Sequence, residues 1–255
     1  MRRMKNKKLK AILSISGYFL LVLALCFVGA LVFHSYYYEL VYVSGISMAP
    51  TLNGADNERA GSIVDFGIVD RHKSALDRID RFDIVSTYYP YCEKYKTDYT
   101  EDGVLKASAK MKIKRIIAKP GDTFEIKDGL LYVQQGEEFV NIKYPFKMNL
   151  SDAHLHDKDT NTPITLGENE YWLLGDNRNS SNDSASLGVD HKIKKENIVG
   201  VLVAIEGKAQ LSVKNYVCQE CGKKYTKSGI CSYDGGALEA EYKLINKQYQ
   251  WPKYF

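Results

Sequence analysis

Ser44-Gly45-Ile46-Ser47-Met48-Ala49-Pro50-Thr51-Leu52 sets a serine directly before Met-x-Pro-Thr-Leu, shortly after a long uncharged run. Taken alone the stretch reads as a loop, because serine and proline commonly shape turns. Ser47 becomes a candidate nucleophile only if other segments bring it a base. The uncharged run, Ala11 to Phe33, has 23 residues. At helical rise it reaches about 35 Å, enough for a hydrocarbon core of roughly 30 Å. It is predicted to be an uncleaved transmembrane anchor (11-33). The run exceeds the apolar core of a signal peptide, no clear small-x-small cleavage site follows, and Leu25 before Cys26 argues against a lipoprotein signal.

Charge sorts the chain into two parts. Arg2, Arg3, Lys5, Lys7, Lys8 and Lys10 crowd the first ten positions without an acidic residue, leaving 35 − 6 = 29 basic residues against 31 acidic ones. A near-neutral body argues against a nucleic-acid-binding face, which concentrates Lys and Arg on the folded domain. The basic segment (1-10) is expected to stay in the cytoplasm against anionic lipid, sending the rest outward. The expectation is a single-pass cell-membrane protein with the lipid bilayer as partner, N-terminus cytoplasmic and everything after His34 extracytoplasmic.

Beyond the anchor, β-branched and aromatic runs broken by Gly, Asp and Pro predict a mainly β fold. Expected strands are Leu40 to Val43, Ser62 to Phe66, Asp83 to Tyr88, Lys110 to Ile117, Thr123 to Ile126, Leu130 to Gln134, Tyr171 to Leu174 and Ile198 to Ile205. Lys127-Asp128-Gly129 signals a hairpin. Arg71 to Arg81 is predicted as a short helix. Tyr89 to Ala109 and Asn149 to Pro163 are polar and read as surface insertions, with His154 and His156 as solvated loop residues.

Two further segments carry chemistry. Lys110 to Asp122 alternates basic and apolar residues before a Pro-Gly-Asp turn. Its bland reading is an edge strand with solvated lysines. The sharper one selects Lys114, before Ile116 and Ile117. An ammonium packed among apolar groups loses hydration, its pKa falls, and the neutral amine can accept a proton. A serine beside such a lysine needs no histidine. Gly175-Asp176-Asn177-Arg178-Asn179-Ser180-Ser181-Asn182-Asp183-Ser184 is a polar loop fed directly by the apolar Tyr171 to Leu174 run, so a buried strand presents it.

The anchor, Ser44 to Leu52, Arg81 to Val85, Lys114 to Asp122 and Gly175 to Gly188 together, in this order, resemble the bacterial type I signal peptidases, serine endopeptidases with a Ser/Lys dyad. The resemblance implies a β-rich catalytic domain (34-208) holding an inserted β subdomain (123-170), and secreted preproteins as substrates, cut after a small-x-small motif. It implies Ser47 as nucleophile and Lys114 as general base, without a cofactor. Ser181 is expected to hydrogen-bond the lysine. Asp183 matches the carboxylate of a supporting ion pair, but Ala185 stands where the family has arginine, so Arg115 or Arg178 is expected to replace it. Gly45 stands where some members have a serine donor to the oxyanion, and Phe82 replaces a glycine before Asp83. The substrate is expected to add as a strand between Tyr42, Val43, Ser44 and the residues up to Ile46 on one side and Met111, Lys112 and Ile113 on the other.

The last segment (209-255) stands outside the resemblance. Cys218-x-x-Cys221-Gly and Cys231-x-x-Asp234-Gly look like paired zinc-ribbon knuckles, with Asp234 in place of a fourth cysteine. A structural zinc, a disulfide involving these cysteines or Cys92, and free thiols all remain open from the sequence. Two other functions compete with the peptidase reading: a membrane-tethered, catalytically weakened interaction protein, and a dedicated Ser/Lys peptidase with a single client.

Overall fold

The computed structural model describes residues 2–56, 58–106, 109–187 and 192–255; Gly188, where the last matched segment ends, lies outside them. One unit is the N-terminal segment Met1–Glu39. It is dominated by helix α1 (Arg2–Tyr37), so the basic segment forms the first turns of the anchor helix rather than a separate tail. Within it Ser16–Tyr37 is long and apolar enough to cross a membrane, with none of it buried against protein. Phe19, Leu20, Phe27 and Val32 are bare. A helix apolar on every side needs lipid or a partner to cover it.

The other unit, Leu40–Phe255, is mainly β. The strands, the first of which begins two residues before this unit, are β1 (Tyr38–Tyr42), β2 (Ile63–Asp70), β3 (Ile84–Thr87), β4 (Lys112–Ala118), β5 (Thr123–Lys127), β6 (Leu130–Gln135), β7 (Glu138–Ile142), β8 (Ile164–Thr165), β9 (Glu170–Leu174), β10 (Ile193–Lys194), β11 (Ile198–Cys218), β12 (Lys224–Tyr225) and β13 (Leu238–Tyr254). A large sheet runs β1-β2-β11-β3-β4-β9-β10, and a separate four-stranded sheet runs β7-β6-β5-β8 within the segment expected to be inserted. Lys127-Asp128-Gly129-Leu130 forms the turn between β5 and β6, with Asp128 and Gly129 both at positive φ.

The 21-residue strand β11 is the spine. On one edge it pairs first with β3 and then with β13; on the other, with β2 and then β12. The boundary expected at 208/209 therefore falls inside a continuous strand, and the tail continues the large sheet as a hairpin. Gly207 bulges the strand without ending it.

Three apolar clusters hold the unit together. Phe124, Ile126, Leu131 and Trp172 join the two sheets; Val85, Ile116, Leu173 and Ile198 pack beside β3, β4 and β9; Val43, Met48, Leu52, Val69 and Leu202 lie beneath the Ser47 turn. The helix expected over Arg71 to Arg81 shrinks to α2 (Lys73–Leu76), with no buried residue in it to reward a longer helix.

Candidate active site

Met48 and Leu52 are almost wholly buried, so they anchor the turn carrying Ser47 to the core from below. The turn closes on itself through Ala49 N–H to Ile46 O (3.0 Å) and Leu52 N–H to Met48 O (3.0 Å). From the other side Asn177 clamps it, donating its backbone N–H to Ser47 O (3.0 Å) and its side-chain amide to Ile46 O (3.1 Å). Gly175 permits this approach. A Cβ there would lie 2.4 Å from Ser47 O and 2.2 Å from Ser181 Oγ, so only hydrogen fits.

Lys114 lies in β4, paired with Val85 of β3, and its side chain points into the same pocket. Its Nζ is 2.8 Å from Ser47 Oγ and donates to Ile113 O at 3.0 Å. The residue is 5% exposed. Burial brings its ammonium down from 10.5 to about 8, with the Asp183 charge the largest influence opposing the fall. A neutral amine held this way can give one N–H to Ile113 O and accept the Ser47 hydroxyl proton through its lone pair.

Around the pair lie two buried ion pairs. Arg115 forks onto Asp176, Nε to Oδ1 at 2.8 Å and a terminal nitrogen to Oδ2 at 2.6 Å. Its other terminal nitrogen donates to Phe82 O (2.7 Å). Thr51 also donates to Asp176 (2.5 Å), so one carboxylate ties the serine turn, the lysine strand and the polar loop together. Asp183, fully buried, accepts from Gly175 N–H (3.1 Å) and from Lys158 Nζ (3.0 Å). Lys158 further donates to Ser181 O (2.8 Å) and Ser186 Oγ (2.5 Å).

These contacts correct three expectations. Asp183 pairs with neither Arg115, which Asp176 claims, nor Arg178, which lies 5.1 Å over the Tyr144 ring. Its cation is Lys158, reaching in from a loop that its polarity had marked as surface. Ser181 does not hydrogen-bond Lys114: its Oγ is buried and has no partner among the described residues. Val43 cannot touch a substrate with its side chain, which is core, and Tyr42 faces Glu58; burial, then Glu58, push its hydroxyl well up.

The backbone flanking the site is nevertheless open. Val43 N–H and Gly45 N–H donate inward to Asp65 O and Ala55 O (both 2.9 Å), so the N–H and C=O of exposed Ser44 point the opposite way. Pairing of β4 with β9 starts at Arg115, so among the described residues no strand pairs with Met111, Lys112 and Ile113 on that side. Gly45, at φ 73°, has open space where a side chain would stand, and the Ser47 N–H makes no hydrogen bond with any described residue. Phe82 takes the left-handed φ of 79° that a glycine would adopt more easily.

Sequence reasoning missed Lys158, Asp176 as the partner of Arg115, and the Asn177 clamp. The gap at Ala185 signalled that a cation was needed, but no spacing pointed to Lys158. His156 also gains unforeseen neighbours, half-buried Asp159 at 2.9 Å and exposed Asp128 at 3.5 Å.

The chain matches the family profile described as "Signal peptidase, peptidase S26" over residues 15–205. Signal peptidase I of Bacillus caldolyticus is 31% identical over 184 residues, covering 69% of this chain and 82% of its own. Signal peptidase I P of Bacillus subtilis subsp. natto is 37% identical over 118 residues, 42% of this chain, and that match spans only 60% of the relative's length. A crystal structure of a signal peptidase I from Enterococcus faecalis V583 aligns with 49% of this chain and 97% of its own, at 25% identity and a TM-score of 0.35. On the strength of the profile and the B. caldolyticus relative, the chain belongs to the S26 family of signal peptidases and is a type I signal peptidase, a serine endopeptidase.

Proposed function

We propose that this peptidase cleaves signal peptides from secreted preproteins with Ser47 as nucleophile and Lys114 as general base. One observation carries the reading: a buried lysine amine, brought down to about 8, lies 2.8 Å from a serine hydroxyl. Neutral Lys114 takes the hydroxyl proton as Ser47 Oγ attacks the scissile carbonyl, then gives it to the leaving amine. Water, deprotonated by the same amine, releases the acyl chain. The unpaired Ser47 N–H is the donor available to the oxyanion. Gly45 supplies no side-chain hydroxyl beside it.

The substrate backbone adds as a strand between the outward edge of Ser44 and the free edge of Met111 to Ile113, which accepts many sequences. The motif cut is small-x-small, with small residues at the first and third positions before the scissile bond. The apolar helix crosses the cell membrane once, its basic N-terminal segment inside and the β unit outside. A preprotein whose apolar segment is still in the bilayer meets the enzyme there.

The test is cleavage of a preprotein bearing alanine at both specificity positions by the purified chain in detergent. Cut product from the parent, absent with Ser47→Ala and with Lys114→Met, supports the dyad; retained cleavage in either variant overturns it. Substituting a large residue at the first position before the cut should abolish processing.

A further inference from the structure

At the tip of the β11–β13 hairpin two short segments repeat one backbone. Cys218-Gln219-Glu220-Cys221-Gly222 and Cys231-Ser232-Tyr233-Asp234-Gly235 share the pattern Cys-x-x-ligand-Gly. In the first, Gly222 N–H donates to Cys218 O (3.0 Å) and Cys218 N–H to Lys223 O (2.9 Å). In the second, Gly235 N–H donates to Cys231 O (3.0 Å) and Cys231 N–H to Gly236 O (2.8 Å). The closing glycines sit at φ 70° and 76°, where a side chain is disfavoured. Each turn thus presents its first and fourth side chains alike.

Those four side chains converge. The three Sγ atoms and a carboxylate oxygen of Asp234 all lie within 4.8 Å of one another. Cys221 Sγ to Cys231 Sγ is 3.6 Å, and Cys218 Sγ to Asp234 Oδ1 is 3.3 Å. Ligands about 2.0–2.3 Å from a tetrahedral zinc are themselves about 3.3–3.8 Å apart, so the spacing suits a four-coordinate ion. A disulfide would draw two sulfurs to about 2.0 Å and leave the other two groups without a purpose. The surrounding shell fits as well: Gly236 N–H donates to Asp234 Oδ1 (2.9 Å), and the Tyr225 hydroxyl lies 2.9 Å from Cys231 Sγ, placed to donate to a thiolate. Backbone pairing and surface ion pairs hold the tip, but no apolar cluster among the described residues reaches it. Ile230 and Tyr233 are exposed, and neither buried thiol, Cys218 or Cys231, joins any of the three apolar clusters.

We propose that Cys218, Cys221, Cys231 and Asp234 bind a structural zinc ion that fastens the hairpin tip, outside the peptidase chemistry. Three soft thiolates with one carboxylate favour zinc over the hard cations that prefer all-oxygen sites.

Zinc content of the full chain, expressed with zinc and purified in detergent, tests this. Elemental analysis should find about one zinc per chain in the parent and background in Cys221→Ser/Cys231→Ser. Asp234→Cys should keep the zinc and hold it against a chelator that strips the parent, whereas Asp234→Ala should lose it at lower chelator concentrations. Cobalt added to the stripped parent should give the intense visible bands of tetrahedral thiolate coordination. This last arm stands even if a cysteine variant fails to fold. Zinc in the parent no higher than in the double variant, featureless cobalt spectra, or fresh protein whose mass shows Cys221 and Cys231 already oxidised to a disulfide would each overturn the proposal.

Discussion

Lys114, the proposed base, is badly solvated, and that desolvation weakens the fold. The unfolded side chain keeps its proton up to 10.5, whereas the folded one releases it near 8. Below pH 8 both states are protonated and the whole cost of burying the charge applies. Between 8 and 10.5 the cost fades, and above 10.5 it is gone. The interval corresponds to about 3 kcal/mol, so Lys114→Met should stabilise the protein by about 1–3 kcal/mol at pH 7, less at pH 10, while abolishing turnover. Thermal unfolding of both proteins across pH checks the sign. For the parent, kcat/KM should climb with pH through about 8 as the amine loses its proton; a profile controlled at carboxylate pH would remove Lys114 from the role of base. Ser181 offers a complementary residue-scale test. Its buried hydroxyl has no partner among the described residues, so Ser181→Ala should leave stability unchanged or slightly improved. Any fall in kcat then measures a role gained only when substrate is bound.

At the scale of elements, the loop holding Lys158 braces the loop holding Asp183 through a pair buried on both sides. Asp183→Asn leaves the Lys158 charge without its counter-ion and should cost about 3–5 kcal/mol, visible as a lowered unfolding midpoint; removing both charges together with Lys158→Met should recover much of that loss. This pair also marks where sequence reading stopped. The serine turn, the lysine strand and the strand leading to Gly175 were legible because each is local: an apolar anchor, an alternation, a turn residue. Lys158 and Asp183 meet across 25 positions, and no periodicity encodes that distance. The long strand β13 was missed for a different reason. Three register shifts against β11 scramble its alternation, and its last third is largely exposed, so no period-2 pattern survives. Phe82 shows local and tertiary demands in conflict. Its φ of 79° costs about 1–3 kcal/mol, but its ring packs against Tyr144 and Phe146. Losing that ring costs about 3–5 kcal/mol, so Phe82→Gly should destabilise despite relaxing the backbone, as a denaturant midpoint would show.

At the scale of the whole molecule, the two units divide labour between localisation and chemistry. Both residues of the proposed dyad, both buried ion pairs and all three apolar clusters belong to Leu40–Phe255. Among the described residues the anchor helix contributes none to these clusters, and its side chains from Ser16 to Tyr36 are exposed. A chain begun at Tyr38, which retains β1, should therefore fold with a cooperative transition close to that of the parent and cleave a short soluble peptide at a comparable rate. Against a preprotein held in lipid vesicles its rate should fall by about tenfold or more, because tethering enzyme and substrate to one surface raises their effective concentration. Vesicle flotation adds the discriminating measurement. Tyr249, Trp251 and Tyr254 at the end of β13 are largely exposed, Trp251 at 97%. If the shortened chain still floats with vesicles, and Trp251→Ala abolishes that, this aromatic edge is a second membrane contact. If it stays wholly in solution, the helix alone confers membrane residence, and the edge is ordinary surface.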